Sequence, residues 1–218
     1  MLKQLSISPQ WFIDATFKVA PKGYYQLLNF IIYIPHLKLF YPACFAFMTT
    51  KTQELYYAVF ESVKMIAGLN SFSLNPETIM CDFERGMRNS IAKAFGGAKL
   101  VGCYFHFTKC LFTKMNKLGL RKATFKIRAL ALIYYFQIIS HCAEEKRKDF
   151  LEEIKSIYKK ENSKFNNFIG YFEKYWLKNP FLDNLFNAIQ ENEDLTFIRT
   201  NNPCEVFHHY LSKFPFPL

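Results

Sequence analysis

The stretch from Trp11 to Ile34, WFIDATFKVAPKGYYQLLNFIIYI, decides the fold. It holds two apolar runs rich in aromatic and β-branched residues, Phe12 to Val19 and Tyr24 to Ile34. Between them Ala20-Pro21-Lys22-Gly23 supplies a proline and a glycine for a turn. A third run of the same kind, Ala43 to Thr50, follows a loop that holds Pro35 and Pro42. Three sequential strands with short connections predict an antiparallel meander. Asp14 stands out within the first strand, because burying an unpaired carboxylate is costly without a cation.

Working outward, Thr52 to Ala67 places Leu55, Tyr56, Val59, Phe60, Val63 and Ile66 at a helical period, closed by Gly68. After the turn Asn75-Pro76-Glu77, Thr78 to Cys81 reads as a short strand and Phe83 to Phe95 as a helix with Met87, Ile91 and Ala94 inward. Lys99 to Tyr104 reads as another strand, so the order is βββαβαβ. From His106 the pattern turns helical: His106 to Leu118, Lys126 to Ser140, Ala143 to Lys160 and Phe165 to Trp176. In the third of these, Glu144, Glu145 and Lys146 to Lys148 predict a mostly solvated face. A segment from Phe181 to Gln190 leads into an acidic loop, Glu191 to Asp194. Pro203 to Phe214 reads as a last helix, stopped by Pro215 and Pro217.

With 218 residues, half of them hydrophobic, the chain can bury one substantial core. Its longest apolar run, Ala129 to Ile139, is about half of the ~20 residues that a membrane-spanning helix needs. It reads as a buried helix, and no membrane is expected as partner. The cysteines Cys44, Cys81, Cys103, Cys110, Cys142 and Cys204 form no spaced framework, and the N-terminus resembles no signal peptide. These features point to a reducing compartment and against secretion. Aromatic residues on several faces of the predicted helices suggest a partner subunit, and a homo-oligomer is the expected form. The formal charge is +10, and between Phe107 and Pro180 there are 16 Lys or Arg against 7 Asp or Glu, a net of +9. Nucleic acid suits that segment, since neutralising phosphates releases counterions, but a lysine-rich solvated helical surface gives the same pattern.

Three acids occupy settings suited to metal chemistry. Asp14 lies in the first strand, Asp82 ends a short apolar run, and Glu205 begins the last helix. A βββαβαβ order with acids in the first strand and just after the fourth is the arrangement of an RNase H-like fold. Its first and fourth strands lie side by side, ~5 Å apart, so Asp14 and Asp82 would face each other. With a third carboxylate such a site can hold two divalent ions ~3.5 to 4 Å apart for phosphodiester chemistry. Mg²⁺ suits oxygen ligands best, with Mn²⁺ as substitute. Taken singly, Asp82 reads as a helix cap accepting from the Glu84 or Arg85 amide, and Glu205 as a first-turn acid favoured by the helix dipole.

Five blocks in order carry a family resemblance: WFIDATFKVAPKGYYQLL, MTTKTQELYYAVF, IMCDFERGMRNSIAKAF, GCYFHFTKCLFTKMNKLGL and RTNNPCEVFHHYL. Together they resemble the transposase domain of Mutator-like elements, the MULE domain. The resemblance implies a DDE-type transposase with an RNase H-like core and a helical insertion before the last acid. Its acids fall on Asp14, Asp82 and Glu205, and its Cys-x-x-His signature on Cys103 and His106. Ala15 stands where the family usually has glycine. The whole chain, 1–218, then reads as one MULE-type catalytic domain: 1–106 is the first part of the core, 107–195 a basic helical insertion, and 196–218 the helix with the third acid.

Cys103, His106 and Cys110 have soft-ligand character but lack the second pair that a structural zinc site needs. A buried cysteine and a satisfied histidine at a strand-to-helix junction is one reading; His106 touching the scissile phosphate or orienting a metal-bound water is the other. Of His208 and His209 only one can face the site, and His209 joins Cys103 and His106 as an accessory candidate. Glu84 is either an accessory ligand or a solvent-facing helix residue. Arg199, Asn201 and Asn202 could cap the last helix or touch DNA backbone. Metal-dependent DNA cleavage and strand transfer in the nucleus, on transposon ends and target DNA, is the expected function. A decayed or domesticated derivative that binds DNA or protein without cutting is the alternative. So few residues precede Asp14 that no N-terminal zinc-finger-type DNA-binding domain is expected within this chain.

Overall fold

The computed structural model describes residues 1–180, 182–184, 200 and 202–213. The acidic loop, Arg199, Asn201, Phe214 and the Pro215–Pro217 stop lie outside the described residues, as does most of the segment from Phe181 to Gln190. The chain divides into two compact units, Met1–Cys103 with Ile198–Leu218, and Tyr104–Phe197.

The first unit is built on a five-stranded mixed sheet: β1 Gln10–Thr16, β2 Gln26–Ile34, β3 Leu39–Met48, β4 Thr78–Cys81 and β5 Lys99–Gly102. Their order is β3-β2-β1-β4-β5, with the meander antiparallel and β1, β4 and β5 mutually parallel. β1 therefore sits in the middle, between the hairpin and the parallel pair. It stops at Thr16 rather than Val19, because the Thr16 hydroxyl accepts from the Lys18 amide (3.4 Å) as the chain turns. β3 starts four residues before the expected Ala43 and takes Pro42 into the strand. An edge strand tolerates a residue without an N–H. The register slips there too: Phe30 pairs with Cys44 and Ile31 with Pro42, leaving Ala43 as the extra residue of a bulge.

Alternation along β1 and β2 divides their side chains between two faces. Trp11, Phe30 and Gln26 share one face with α2 (Gln53–Leu69) and α3 (Arg85–Ala94), where Trp11, Phe30, Phe60 and Phe95 form an edge-to-face cluster with centroids 5.2 to 6.3 Å apart. α2 is capped by Thr52, whose hydroxyl accepts from the Leu55 amide (3.3 Å), and it runs one residue beyond Gly68. A helix absent from the sequence reading, α1 (Leu2–Ile7), precedes the sheet; the Trp11 indole donates to the Leu5 and Ser8 carbonyls at 3.1 and 3.2 Å. The other face carries Phe12, Asp14, Asn29 and Ile31.

In the second unit α4 (Tyr104–Lys117), α5 (Ala123–His141), α6 (Glu144–Tyr158) and α7 (Ser163–Tyr175) pack around aromatic side chains. Phe136 stacks on Phe172 at 4.2 Å and meets Phe168 edge-on at 5.2 Å. Tyr104, expected in a strand, opens α4 instead; the β4–β5 ladder closes at Cys103, whose amide donates to the Cys81 carbonyl at 3.0 Å. Arg147, expected on a solvated face, is buried, donates to the Cys142 carbonyl at 2.8 Å and pairs with Asp183. Gly119, at φ +70°, makes the left-handed turn between α4 and α5. Asn162 caps α7 by accepting from the Lys164 amide at 3.1 Å. Asn162→Ala is expected to lower stability by about 1 kcal/mol, read as a lower urea midpoint at unchanged slope. Among the described residues no helix is long and apolar enough to cross a membrane.

Candidate functional site

The last helix, α8 (Asn202–Leu211), covers the second face of the sheet. It opens at Asn202, whose amide donates to the Thr200 hydroxyl at 3.4 Å. Its roll is set by Phe207, which stacks on Phe45 of β3 at 5.4 Å and 17°. The buried residues of α8 are Cys204 and His208, one turn apart. Glu205, on the first turn, is half-buried.

Asp14 lies in the middle of the central strand, 4% exposed, and pairs in register with Asn29 of β2, which is fully buried. Its carboxylate and that of Glu205 offer oxygens within 4.8 Å of each other. The two acids are separated by most of the sequence, and α8 alone brings them together. His208 faces the same carboxylate: its Nδ1 is 3.7 Å from Asp14 Oδ2 and its Nε2 2.7 Å from Asn29 Oδ1. The histidine turned toward the acids is therefore His208; His209, named as the accessory candidate, points to solvent. Helical spacing allows only one of two adjacent residues to face inward, and the Phe207 stack selects which.

Asp82 follows β4. The β1–β4 ladder runs to the pair Phe12–Met80, and two residues farther along each strand stand Asp14 and Asp82. Asp82 does not join the Asp14–Glu205 cluster. Its Oδ1 instead accepts from the Glu84 amide at 2.8 Å, a turn that leads into α3, which begins at Arg85 rather than Phe83. Burial, then the charge of Asp82, push the Cys81 thiol well up; Arg88 opposes this and Asp14 adds to it. The Cys204 thiol is raised in the same way by burial and by Asp14, tempered by the Asn29 amide beside it.

Glu84 is half-buried at the start of α3, and burial followed by the charge of Asp82 raises its carboxyl, opposed by Lys51 and by a hydrogen bond from Tyr56. The Tyr56 hydroxyl accepts from the Gln26 amide at 2.8 Å, and burial pushes the phenol up. Sequence reasoning passed over this Gln26–Tyr56–Glu84 chain. Its only local signal is a glutamine and an asparagine, Gln26 and Asn29, inside an otherwise apolar strand. Cys103 is buried at the end of the first unit, whereas His106 and Cys110 are half-buried on α4 of the second. Ala15 falls on the opposite side of β1 from Asp14, so its methyl does not crowd the acid.

An apolar groove of about 520 Å³ lies along α8, lined by Ile31, Phe40, Pro42, Pro203, Val206 and Phe207 among others. None of the candidate acids lines it.

A mixed α/β sheet with a buried acid on its central strand, faced by a second acid from the closing helix, defines an oxygen-donor centre. Residues 10–110 match the MULE transposase domain, which supports a MULE transposase domain in this part of the chain and suggests a transposase-related function. The match contains Asp14, Asp82, Cys103 and His106; Glu205 lies beyond it. No curated protein matches the chain.

A divalent metal, which a transposase domain implies, fits the residues present. Two hard oxygen donors converge, and one of them is a buried carboxylate whose charge asks for a cation.

Proposed function

We propose that the protein is the catalytic core of a DDE-type transposase, an RNase H-like domain that cuts DNA and joins the 3′ hydroxyl to target DNA in the nucleus. The observation that carries this reading is the approach of the buried Asp14 carboxylate to Glu205 on the sheet face covered by α8. The strand order supports the RNase H-like assignment, since β1 and β4 are neighbours and each leads to an acid.

Divalent ions, Mg²⁺ or Mn²⁺ and two in number for this chemistry, would activate the attacking oxygen and stabilise the leaving oxygen. Asp14 supplies the fixed anchor, held by the rigid centre of the sheet. Glu205 supplies the second carboxylate from α8. Asp82 keeps Oδ1 on the Glu84 amide, and its Oδ2 would be the oxygen to serve an ion. The burial of Asp14 keeps bulk water away and strengthens each electrostatic contact.

The test is nicking and strand transfer on transposon-end DNA in Mg²⁺ or Mn²⁺, reversed by chelation. Metal-independent DNA binding with no cleavage under any divalent ion would instead support the alternative, a derivative that binds without cutting.

DNA contact is assigned to the second unit, where Arg121, Lys122 and Lys126 are exposed beside the start of α5 and make no ion pair among the described residues. Replacing all three by Ala is expected to make the log–log salt dependence of DNA binding shallower by roughly 2.7, or 0.9 for each phosphate contact. An unchanged slope would remove these residues from the interface.

A further inference from the structure

In the second unit α5 is apolar on every side: from Ala129 to Ser140 it holds no charged residue. Its inner face is covered, with Leu132, Phe136 and Ile139 buried and Phe136 stacked on Phe172 of α7. The opposite face is open to solvent. Ile127 is 80% exposed, Tyr134 67% and Ile138 49%, with the half-buried Ala131 between them. A helix without a polar face ordinarily lies buried, and an aligned row of exposed apolar side chains marks a contact surface where scattered ones would not. These four residues follow one another at intervals of 4, 3 and 4, the spacing by which one helix seats against another.

We propose that this row is the contact between two copies of the chain, with their α5 helices antiparallel across a two-fold axis. The spacing reads the same from either end, so a reversed copy matches it residue for residue: Ile127 meets Ile138, and Tyr134 meets Ala131. Size agrees, since the large tyrosine then faces the small alanine. Parallel copies in register would set tyrosine on tyrosine and leave a gap between alanines. Charge selects the same direction. Arg121, Lys122 and Lys126 are exposed at the amino end of α5, and parallel helices would crowd the three cations of one copy against those of the other. Reversal sets each cluster near the carboxyl end of the other helix, where the helix dipole is negative and the run Glu144 to Asp149 is balanced in sign. A two-fold contact closes on itself, so it yields a dimer and no larger assembly. The proposal stands apart from the metal-dependent reading, because none of these residues belongs to the first unit.

The experiment is analytical sedimentation of the full chain without DNA over a range of concentrations, with a thermal melt of each variant alongside. One helix pair is a small interface, so a weak dimer is expected, with Kd on the order of 10 µM. Ile127→Glu and Ile138→Lys are each expected to weaken it at least roughly 10-fold, because each sets a charge against an isoleucine at both ends of the contact. Both positions are exposed, so each variant keeps its fold. The double variant, Ile127→Glu with Ile138→Lys, is expected to recover association, since in antiparallel copies every new glutamate meets a new lysine. In parallel copies like charges would meet instead, and recovery would fail. A wild-type chain that stays monomeric at roughly 100 µM overturns the proposal. A dimer that either single variant leaves intact overturns it as well, because another surface then holds the copies together. Loss in both single variants without recovery in the double one also overturns it, since the row then meets something other than its own reversed copy.

Discussion

Asp14→Asn is expected to reduce Mn²⁺-dependent nicking at least roughly a hundredfold, about 2.7 kcal/mol of transition-state stabilisation, while the protein still melts cooperatively. Asparagine keeps the shape of the side chain and its fit between Asn29 and His208, so packing on β1 survives. It removes the charge, and with it the buried carboxylate that faces Glu205. In the absence of a cation the two carboxylates, within 4.8 Å, repel each other. Neutralising one relieves that repulsion, while the nearby His208 loses its acidic neighbour. The two effects oppose each other in stability, whereas activity has no compensating gain. Full nicking by Asp14→Asn at wild-type metal concentration would dismiss the proposed chemistry.

Phe60→Ala is expected to destabilise the first unit by about 3 to 5 kcal/mol, a large share of the roughly 5 to 15 kcal/mol that holds a typical domain together. Phe60 is fully buried on α2 and meets Phe30, Phe95 and Tyr56 at centroid distances of 5.8, 6.0 and 6.4 Å. Its neighbours lie on β2, on α2 itself and just past α3, so no single element can move to fill the void. Chemical denaturation followed by tryptophan fluorescence reads the change, since Trp11 stands at 5.2 Å from Phe95 in the same cluster. A loss below about 1 kcal/mol would mean that the cluster repacks and that this side of the sheet is less rigid than close packing demands.

Much of the architecture follows from local pattern. Apolar runs rich in aromatic and β-branched residues on either side of Pro21-Lys22-Gly23 define β1 and β2, and the period of Leu55, Tyr56, Val59, Phe60 and Val63 defines α2. The mixed α/β character and the MULE transposase domain were readable from these runs and the sequence blocks around them. Boundaries were less readable, because they depend on contacts made elsewhere. Pro42 enters β3 only because that strand lies on the edge, and Arg147 is buried because Asp183 and the Cys142 carbonyl receive it.

For the site, composition singled out Asp14, since an acid in an aromatic strand has few structural uses. The local role of Asp82 was readable, because the turn to the Glu84 amide is governed by residues two apart. The choice of His208 over His209 could not be read, because adjacent residues on a helix share every local property except the direction they face. That direction depends on the Phe207–Phe45 stack, a contact between residues distant in sequence. Asn29 and Gln26, polar residues in an otherwise apolar strand, find their partners His208 and Tyr56 only through α8 and α2. The sequence by itself determined the succession of strands and helices from β1 to α7, and the acid that central strand would bury, since both are short-range consequences of side-chain pattern and charge. Only the tertiary structure decided which groups meet that acid, because a helix's roll and a strand's register are settled by packing between segments far apart in the chain.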